Sequence, residues 1–177
     1  AGTVLHLAPG TVLRDTGQLS PTDRLITINT AGVRIYGTGA TVVSRRSDYT
    51  TGEFRHGVFI RGASNLIIEG LESNTHGGDG FYIGTGSRDI TLRKVFAFNN
   101  RRQGLSIVSA VNLLVIDSEF TSTQGTWPML GIDVEPNNNG DLLQNVQIRN
   151  LRTSNNAGGG ITVGLSAYSS AAPAVSI

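Results

Sequence analysis

Gly57-Val58-Phe59-Ile60, Gly80-Phe81-Tyr82-Ile83, Gly104-Leu105-Ser106-Ile107, Gly131-Ile132-Asp133-Val134 and Gly160-Ile161-Thr162-Val163 are one phrase written five times: glycine, apolar, variable, apolar. The glycines are spaced by 23, 24, 27 and 29 residues, a period that belongs to stacked repeats. Within each phrase the apolar residues alternate with a tolerant position, the pattern of a short strand buried on one face. A second apolar burst follows in the same turn at Leu66-Ile67-Ile68, Ile90-Thr91-Leu92, Leu113-Leu114-Val115 and Val146-Gln147-Ile148, and a third at Val95 to Phe98. Asn or Ser closes the turn at Asn74, Asn99, Asn100, Ser122, Asn155 and Asn156. No segment carries a helical period. Two or three strands per turn with Gly and Asn at the corners predict an all-β, parallel β-helix. An antiparallel sandwich has no reason to repeat one phrase.

Composition agrees. The 177 residues include 23 Gly and only 15% charged residues, enough chain for one core and a single domain over 1–177. A net charge of +1 supplies no basic stripe for nucleic acid. No apolar run reaches the ~18 residues of a membrane span. With no cysteine, disulfides and thiolate metal sites are excluded. Thr3 to Thr11 reads as a first strand and turn, followed by Leu25 to Ile28, Val33 to Ile35 and Thr41 to Val43. The far end, Ala167 to Ile177, turns small and apolar without a polar capping turn, so the stack is expected to be cut short or capped by something else. Secretion would imply that a leader preceding Ala1 has been removed.

Strand parity turns the repeat into a surface map. With Val58, Phe81, Leu105, Ile132 and Ile161 pointing inward, the column Phe59, Tyr82, Ser106, Asp133, Thr162 points outward. A second outward column is Arg61, Gly84, Val108, Glu135, Gly164. Turns stacked ~4.8 Å apart make these columns a groove. Its chemically loaded turn is Asp133-Val134-Glu135-Pro136-Asn137. Carboxylates at i and i+2 on a strand face are expected roughly 6.5 to 7 Å apart, the spacing of an acid and a base around a water. With Asn137 they also offer oxygen ligands for Ca²⁺. The plainer reading leaves both carboxylates solvated.

Other residues around this groove have both functional and structural readings. Asp79, between glycines, is a turn residue or a substrate contact, and His76 a loop histidine or a proton carrier. Arg102, in Arg101-Arg102-Gln103, would clamp a sugar carboxylate or sit in a solvated corner. Phe59, Tyr82 and Trp127 offer flat faces to sugar rings, or in the case of Trp127 fix their own loop. The excursion Ser44 to Arg55 is long enough to wall the groove, with Asp48, Tyr49 and Glu53 in reach of substrate.

The stretches Gly77-Gly78-Asp79-Gly80-Phe81-Tyr82-Ile83-Gly84, Asn99 to Ile107 and Gly131 to Asn137 resemble those of bacterial right-handed parallel β-helix repeat proteins, the pectate lyase-like superfamily of pectate lyases, polygalacturonases, mannuronan epimerases and phage tailspikes. The resemblance implies a secreted, periplasmic or surface protein that binds and cleaves an acidic polysaccharide, with a homotrimer open to it as to some β-helix proteins. A lyase would use Arg102 or Tyr82 as base, with Asp133 or Glu135 holding Ca²⁺. A hydrolase would divide acid and base roles between Asp133 and Glu135. Phe59, Arg61, His76, Asp79, Gln103, Trp127 and Asn137 would contact substrate. The segment Asp79-Gly80-Phe81-Tyr82-Ile83-Gly84 has the Gly-Phe pair of mannuronan epimerases and lacks the Asp-Pro-His that follows it there. The alternative is a glycan-binding or structural module without turnover, or an inactive solenoid.

Overall fold

A computed structural model describes residues 2–17, 20–169 and 173–177. Among them are fourteen strands: β1 (Val4–His6), β2 (Val12–Arg14), β3 (Ile26–Ile28), β4 (Arg34–Val43), β5 (Val58–Arg61), β6 (Ser64–Asn74), β7 (Phe81–Gly84), β8 (Arg88–Arg93), β9 (Phe96–Phe98), β10 (Leu105–Ile107), β11 (Ala110–Thr121), β12 (Leu130–Val134), β13 (Leu143–Ser154) and β14 (Gly159–Val163). The only helical element described is a 3-10 turn, Arg46–Asp48. Among the described residues no helix is long and apolar enough to cross a membrane.

The fold is the parallel β-helix that the repeat predicts. Six strands, in the order β14-β12-β10-β7-β5-β3, form one sheet, and the other eight form the second. The glycine phrases stack in register: Val58 pairs with Phe81, Phe81 with Leu105, Leu105 with Ile132 and Ile132 with Ile161, all parallel. The preceding turn runs from Ile26 to its partner Val58 and is longer because it contains the Ser44 to Arg55 excursion.

In the other sheet the second and third apolar bursts are mostly joined. β6, β11 and β13 run for 11, 12 and 12 residues and bend at a left-handed residue. Gly70, Lys94, Asp117 and Asn150 hold this position on successive turns, with φ of 74°, 51°, 54° and 48°. Asn and Asp accept this backbone because their short polar side chains bond locally. A second left-handed column, Asn65, Asp89, Asn112 and Asn145, is tied by side-chain amides: Asn145 donates to Asn112 at 3.1 Å and Asn112 to Asp89 at 2.8 Å.

The repeated glycine answers to crowding. A Cβ at Gly80 would lie 2.8 Å from Ala97 Cβ, and one at Gly104 would lie 2.7 Å from Phe120 Cβ. The missing side chain thus points into the stack, where the two sheets meet at a corner. Asn100 fills this corner, accepting the His76 N–H at 2.9 Å and donating to the Ser73 carbonyl at 3.0 Å. That pairing satisfies main-chain groups that water cannot reach.

Val58, Ile60, Phe81, Ile83, Leu105, Ile107, Ile132 and Val134 are buried against Leu66, Ile68, Leu92, Val115 and Phe120 of the opposite sheet. On the last turn Ile161 and Val163 keep the same parity but are about half exposed, since no described strand stacks beyond them. The tail does reach the second sheet: Ser176 N–H donates to the Leu143 carbonyl, and its carbonyl accepts from Val146.

Candidate active site

The outer face of the six-stranded sheet carries the predicted column. Phe59 stands beside Tyr82, Tyr82 beside Ser106, Ser106 beside Asp133 and Asp133 beside Thr162. A cleft of about 200 Å³ lies over this face, lined by Tyr82, Ser106, Val108, Asp133 and Glu135, with Asn137 from the turn that follows. Arg102, His56, Glu53 and Phe54 complete the lining. The Ser44 to Arg55 excursion therefore reaches the groove through Glu53 and Phe54. Its Tyr49 is instead buried, donating to Asp15 at 2.9 Å.

Aromatic rings form a continuous platform. His56 stacks on Tyr82 with centroids 4.8 Å apart, and Phe59 stacks on Tyr82 at 5.1 Å. The Arg24 guanidinium covers the Phe59 ring at 4.6 Å, so one face of the platform is already occupied. Glycine at position 84 makes room for Tyr82, whose ring would lie 2.8 Å from any Cβ there.

Beneath the cleft lies a buried polar column made of the residues that precede the repeat glycines: His56, Asp79 and Gln103. Parity counted back from Phe81 places Asp79 facing inward. The chain bends at glycine, whose vacant side points into the stack, and the residue before it therefore faces outward. Asp79 Oδ2 lies 2.7 Å from Ser106 Oγ, 3.3 Å from His56 Nδ1 and 3.5 Å from Arg102 Nη1. His56 Nδ1 accepts the Asp79 main-chain N–H at 3.1 Å, so it has no proton to give the carboxyl. Burial, with Arg24, Arg102 and His76 nearby, pushes the His56 pKa well below the usual value. The imidazole is neutral, and its contact with Asp79 is not an ion pair.

The Ser106 hydroxyl links two protonation states of Asp79. Ser106 has one hydroxyl proton and faces two acceptors, Asp79 Oδ2 and Gln103 Oε1, with the Gln103 amide oriented by its own donation to Asp133 Oδ2 at 2.6 Å. With Asp79 ionised, Ser106 donates to its Oδ2 and Arg102 Nη1 faces the same oxygen; with a proton on Oδ2 the chain runs from Asp79 to Ser106, from Ser106 to Gln103 Oε1 and from Gln103 Nε2 to Asp133. Asp79 Oδ1 is buried without a partner, which a neutral carboxyl tolerates better than a carboxylate. Burial raises the Asp79 pKa to about 7, outweighing Arg102 and Ser106, which lower it.

Asp133 is also raised, first by burial and next by the charge of Glu135. Glu135, two residues further on, lines the same cleft, and its carboxyl is near enough to raise that of Asp133. Arg102 is held firmly as a cation: burial opposes its charge, and Asp79, Glu53 and Asp133 more than restore it. Its Nε lies 3.4 Å from Glu53 Oε2 but makes no hydrogen bond. Tyr82 is raised by burial and by Asp79. Arg102 and Tyr82 thus both hold their protons and are poor resting bases.

The structure brings Tyr82, Arg102, Asp133, Glu135 and Asn137 to the cleft and sets Phe59, Asp79 and Gln103 beside or beneath it. Arg61 is exposed on the strand beyond Phe59. His76 is elsewhere: fully buried, its Nδ1 lies 2.8 Å from Ser44 Oγ, and its Nε2 would meet a Cβ at Gly57. Burial lowers its pKa to about 3, which rules out the surface proton carrier expected of a loop histidine. Trp127 is 73% exposed and does not line the cleft. Among the described residues no group of three or more His, Cys, Asp or Glu is arranged to hold a metal ion. Asp133, Glu135 and Asn137 would supply only part of the six to eight oxygens that Ca²⁺ takes, with water or substrate supplying the rest, and one Asp133 oxygen already accepts from Gln103.

Sequence reasoning passed over His56 and the network role of Ser106. The signal for His56 was present: a polar residue immediately before the repeat glycine, as at Asp79 and Gln103.

Comparison with known proteins adds the family. The chain is 27% identical over 150 residues to "Uncharacterized protein YclG" of Bacillus subtilis (strain 168), a match covering 70% of this chain and 26% of that protein. It is 29% identical over 103 residues to "SPbeta prophage-derived uncharacterized protein YorA" of the same organism, covering 50% of this chain and 18% of that protein. The chain thus spans about a quarter or less of these relatives' length. No solved structure gives a significant match. The family described as "Right handed beta helix region" matches residues 31–172, and with its parallel stacked sheets the chain belongs to this right-handed β-helix family.

Proposed function

We propose that this groove binds an acidic polysaccharide and cleaves it by β-elimination at a uronic acid residue. The observation that carries the reading is the convergence of Asp133, Glu135 and Arg102 on one cleft, with Arg102 held as a cation whose Nε has no hydrogen-bond partner. Arg102 would bind the uronate carboxylate and offset the charge that develops there once the neighbouring C5 proton leaves. The ionised oxygen of the pair takes that proton. The C4–O bond breaks as the C4–C5 double bond forms, and the proton held by the pair goes to the departing glycosidic oxygen. Both transfers occur on one face, which suits uronates whose C5 hydrogen and C4 oxygen lie on the same side, as in manno and gluco configurations. Tyr82, backed by Phe59, supplies apolar contact for a sugar ring beside the reacting residue. A polymeric substrate of this kind places the working protein outside the cell or at its surface.

The test is incubation with polymannuronate, polyglucuronate and polygalacturonate, following ultraviolet absorbance of unsaturated products and new reducing ends separately. Asp133→Asn and Glu135→Gln are each expected to lower kcat by about 10²–10⁴-fold with the folded spectrum unchanged. Reducing ends without unsaturated product would replace elimination by hydrolysis, and full activity in both variants would overturn the roles of the pair. A second reading is glycan binding without turnover, supported by the aromatic stack of Tyr82 on His56 and Phe59 beside the cleft. It predicts saturable binding and neither product.

A further inference from the structure

A second and larger cleft, about 660 Å³, opens where the ends of β2, β4, β6 and β9 meet the Ser44 to Arg55 excursion, and it shares no lining residue with the groove. Four guanidinium groups line it, from Arg14, Arg45, Arg46 and Arg101, and no carboxylate does. The carboxylate behind it, Asp15, is buried and committed through Oδ2 to the Tyr49 hydroxyl and the Arg45 main-chain N–H.

The hydrogen bonds these arginines make do not balance their charge. Arg101 donates to the Gly52 carbonyl at 2.7 Å and the Thr50 carbonyl at 2.5 Å, and Arg46 donates to the Gln124 carbonyl. Carbonyl oxygens fix the loop without carrying a negative charge. Arg46 Nε is buried with no partner, and among the described residues the Arg14 and Arg45 side chains make no hydrogen bond or ion pair. Arg101 is pushed below the usual arginine value, first by burial and then by the charges of Arg46 and Arg55. In a chain whose net charge is +1, this is a concentrated positive site, with Asp15 behind it and Glu53 near Arg101 as its acidic neighbours. Thr75 and Asn99 add neutral polar groups to its wall.

We propose that this cleft is a second binding site, selective for an oxyanion group (carboxylate, sulfate or phosphate), with Arg14 and Arg45 as its free donors and Arg46 and Arg101 as the charges that hold it. Arg101 and Arg102 are consecutive, one lining each cleft, so a single turn presents a guanidinium to both sites. An acidic chain gripped by Arg102 would find its next anionic hold here. The oxyanion site itself stands whether or not the groove cleaves anything.

The experiment titrates the protein with sodium sulfate and, separately, with sodium chloride at matched ionic strength, following the arginine Nε–H signals by NMR. Saturable shifts at Arg14 and Arg45 with sulfate and not with chloride are expected. The Arg14→Ala/Arg45→Ala variant, altered only at exposed side chains, should bind sulfate about tenfold more weakly or worse, whereas Arg102→Ala should bind it as the parent does. Equal shifts with chloride, or undiminished sulfate affinity in the double variant, would overturn the site. A mannuronate oligosaccharide distinguishes the source of the anion. Binding about tenfold tighter than sulfate, with shifts at both Arg45 and Arg102, identifies a glycan-borne group, and shifts at Arg45 with no gain over sulfate identify a free oxyanion.

Discussion

Replacing Asp79 by asparagine tests the proton count at the centre of the site. The folded pKa of about 7 lies above the ordinary carboxyl value of 3.8, so the folded protein binds a proton that the unfolded chain releases between those pH values. A carboxyl raised on folding favours the folded state below its unfolded pKa, and that contribution is lost as pH rises towards the folded value. At 1.36 kcal/mol per pKa unit, the loss by pH 8 is roughly 4 kcal/mol. Asp79 is fully buried, so solvent screening removes little of it. Around the carboxyl stand Arg102 and Asp133, the neutral His56, and the Ser106 hydroxyl. In Asp79→Asn the side-chain amide would be a permanent donor where the acid carries its proton. The assay is urea unfolding of both proteins at pH 4.5, 6, 7 and 8.5. Asp133, raised in the same direction, is common to both and largely cancels in the difference. The stability of the parent relative to Asp79→Asn should fall by roughly 3 kcal/mol across this range, since part of the contribution is already lost by pH 4.5. A difference independent of pH, together with a ¹³C carboxyl signal of Asp79 titrating near pH 4, would refute the protonated Asp79 and the hydrogen-bond direction built on it.

Two further substitutions probe the platform and the corner. Tyr82→Phe keeps the stack on Phe59 and His56 and removes a hydroxyl that burial keeps protonated, so turnover should stay within about tenfold of the parent while Tyr82→Ala weakens glycan binding. A hundredfold loss of kcat in Tyr82→Phe would restore the tyrosine as base. Gly104→Ala would set a methyl group 2.6 Å from the Gly131 carbonyl oxygen and 2.7 Å from Phe120 Cβ. Neither neighbour is a flexible side-chain end, so a loss of about 1–3 kcal/mol is expected, and an unchanged urea midpoint would count against the crowded corner.

The fold was legible because a β-helix writes its period into the chain. Each turn must place an apolar pair in the same register as the last, and Leu105 between Phe81 and Ile132 shows the pairing the repeat implies. What the repeat hid was the length of the second-sheet strands. Val115 and Phe120 belong to one strand, although Asp117 between them reads as a break. The left-handed backbone of Asp117 bends the strand while its neighbours Ile116 and Ser118 stay paired with Arg149 and Leu151.

The site was legible where alternation holds and obscure where it slips. Tyr82, Asp133 and Glu135 lie inside or just after strands and reach the cleft as parity predicts. Asp79 and His56 lie one residue before the glycine, where parity fails, and His76 sits in a corner that sequence spacing cannot distinguish from a surface loop. The glycine connects these cases. At Gly57 the vacant side faces Ser73 and His76, and at Gly80 it faces Ala97 and Asn100. The crowding that excludes a side chain there also turns the preceding residue outward, beneath the groove. A larger residue at Gly80 would therefore strain the corner and also move Asp79 away from Ser106. The residue type that closes each turn of the stack also aims the buried acid.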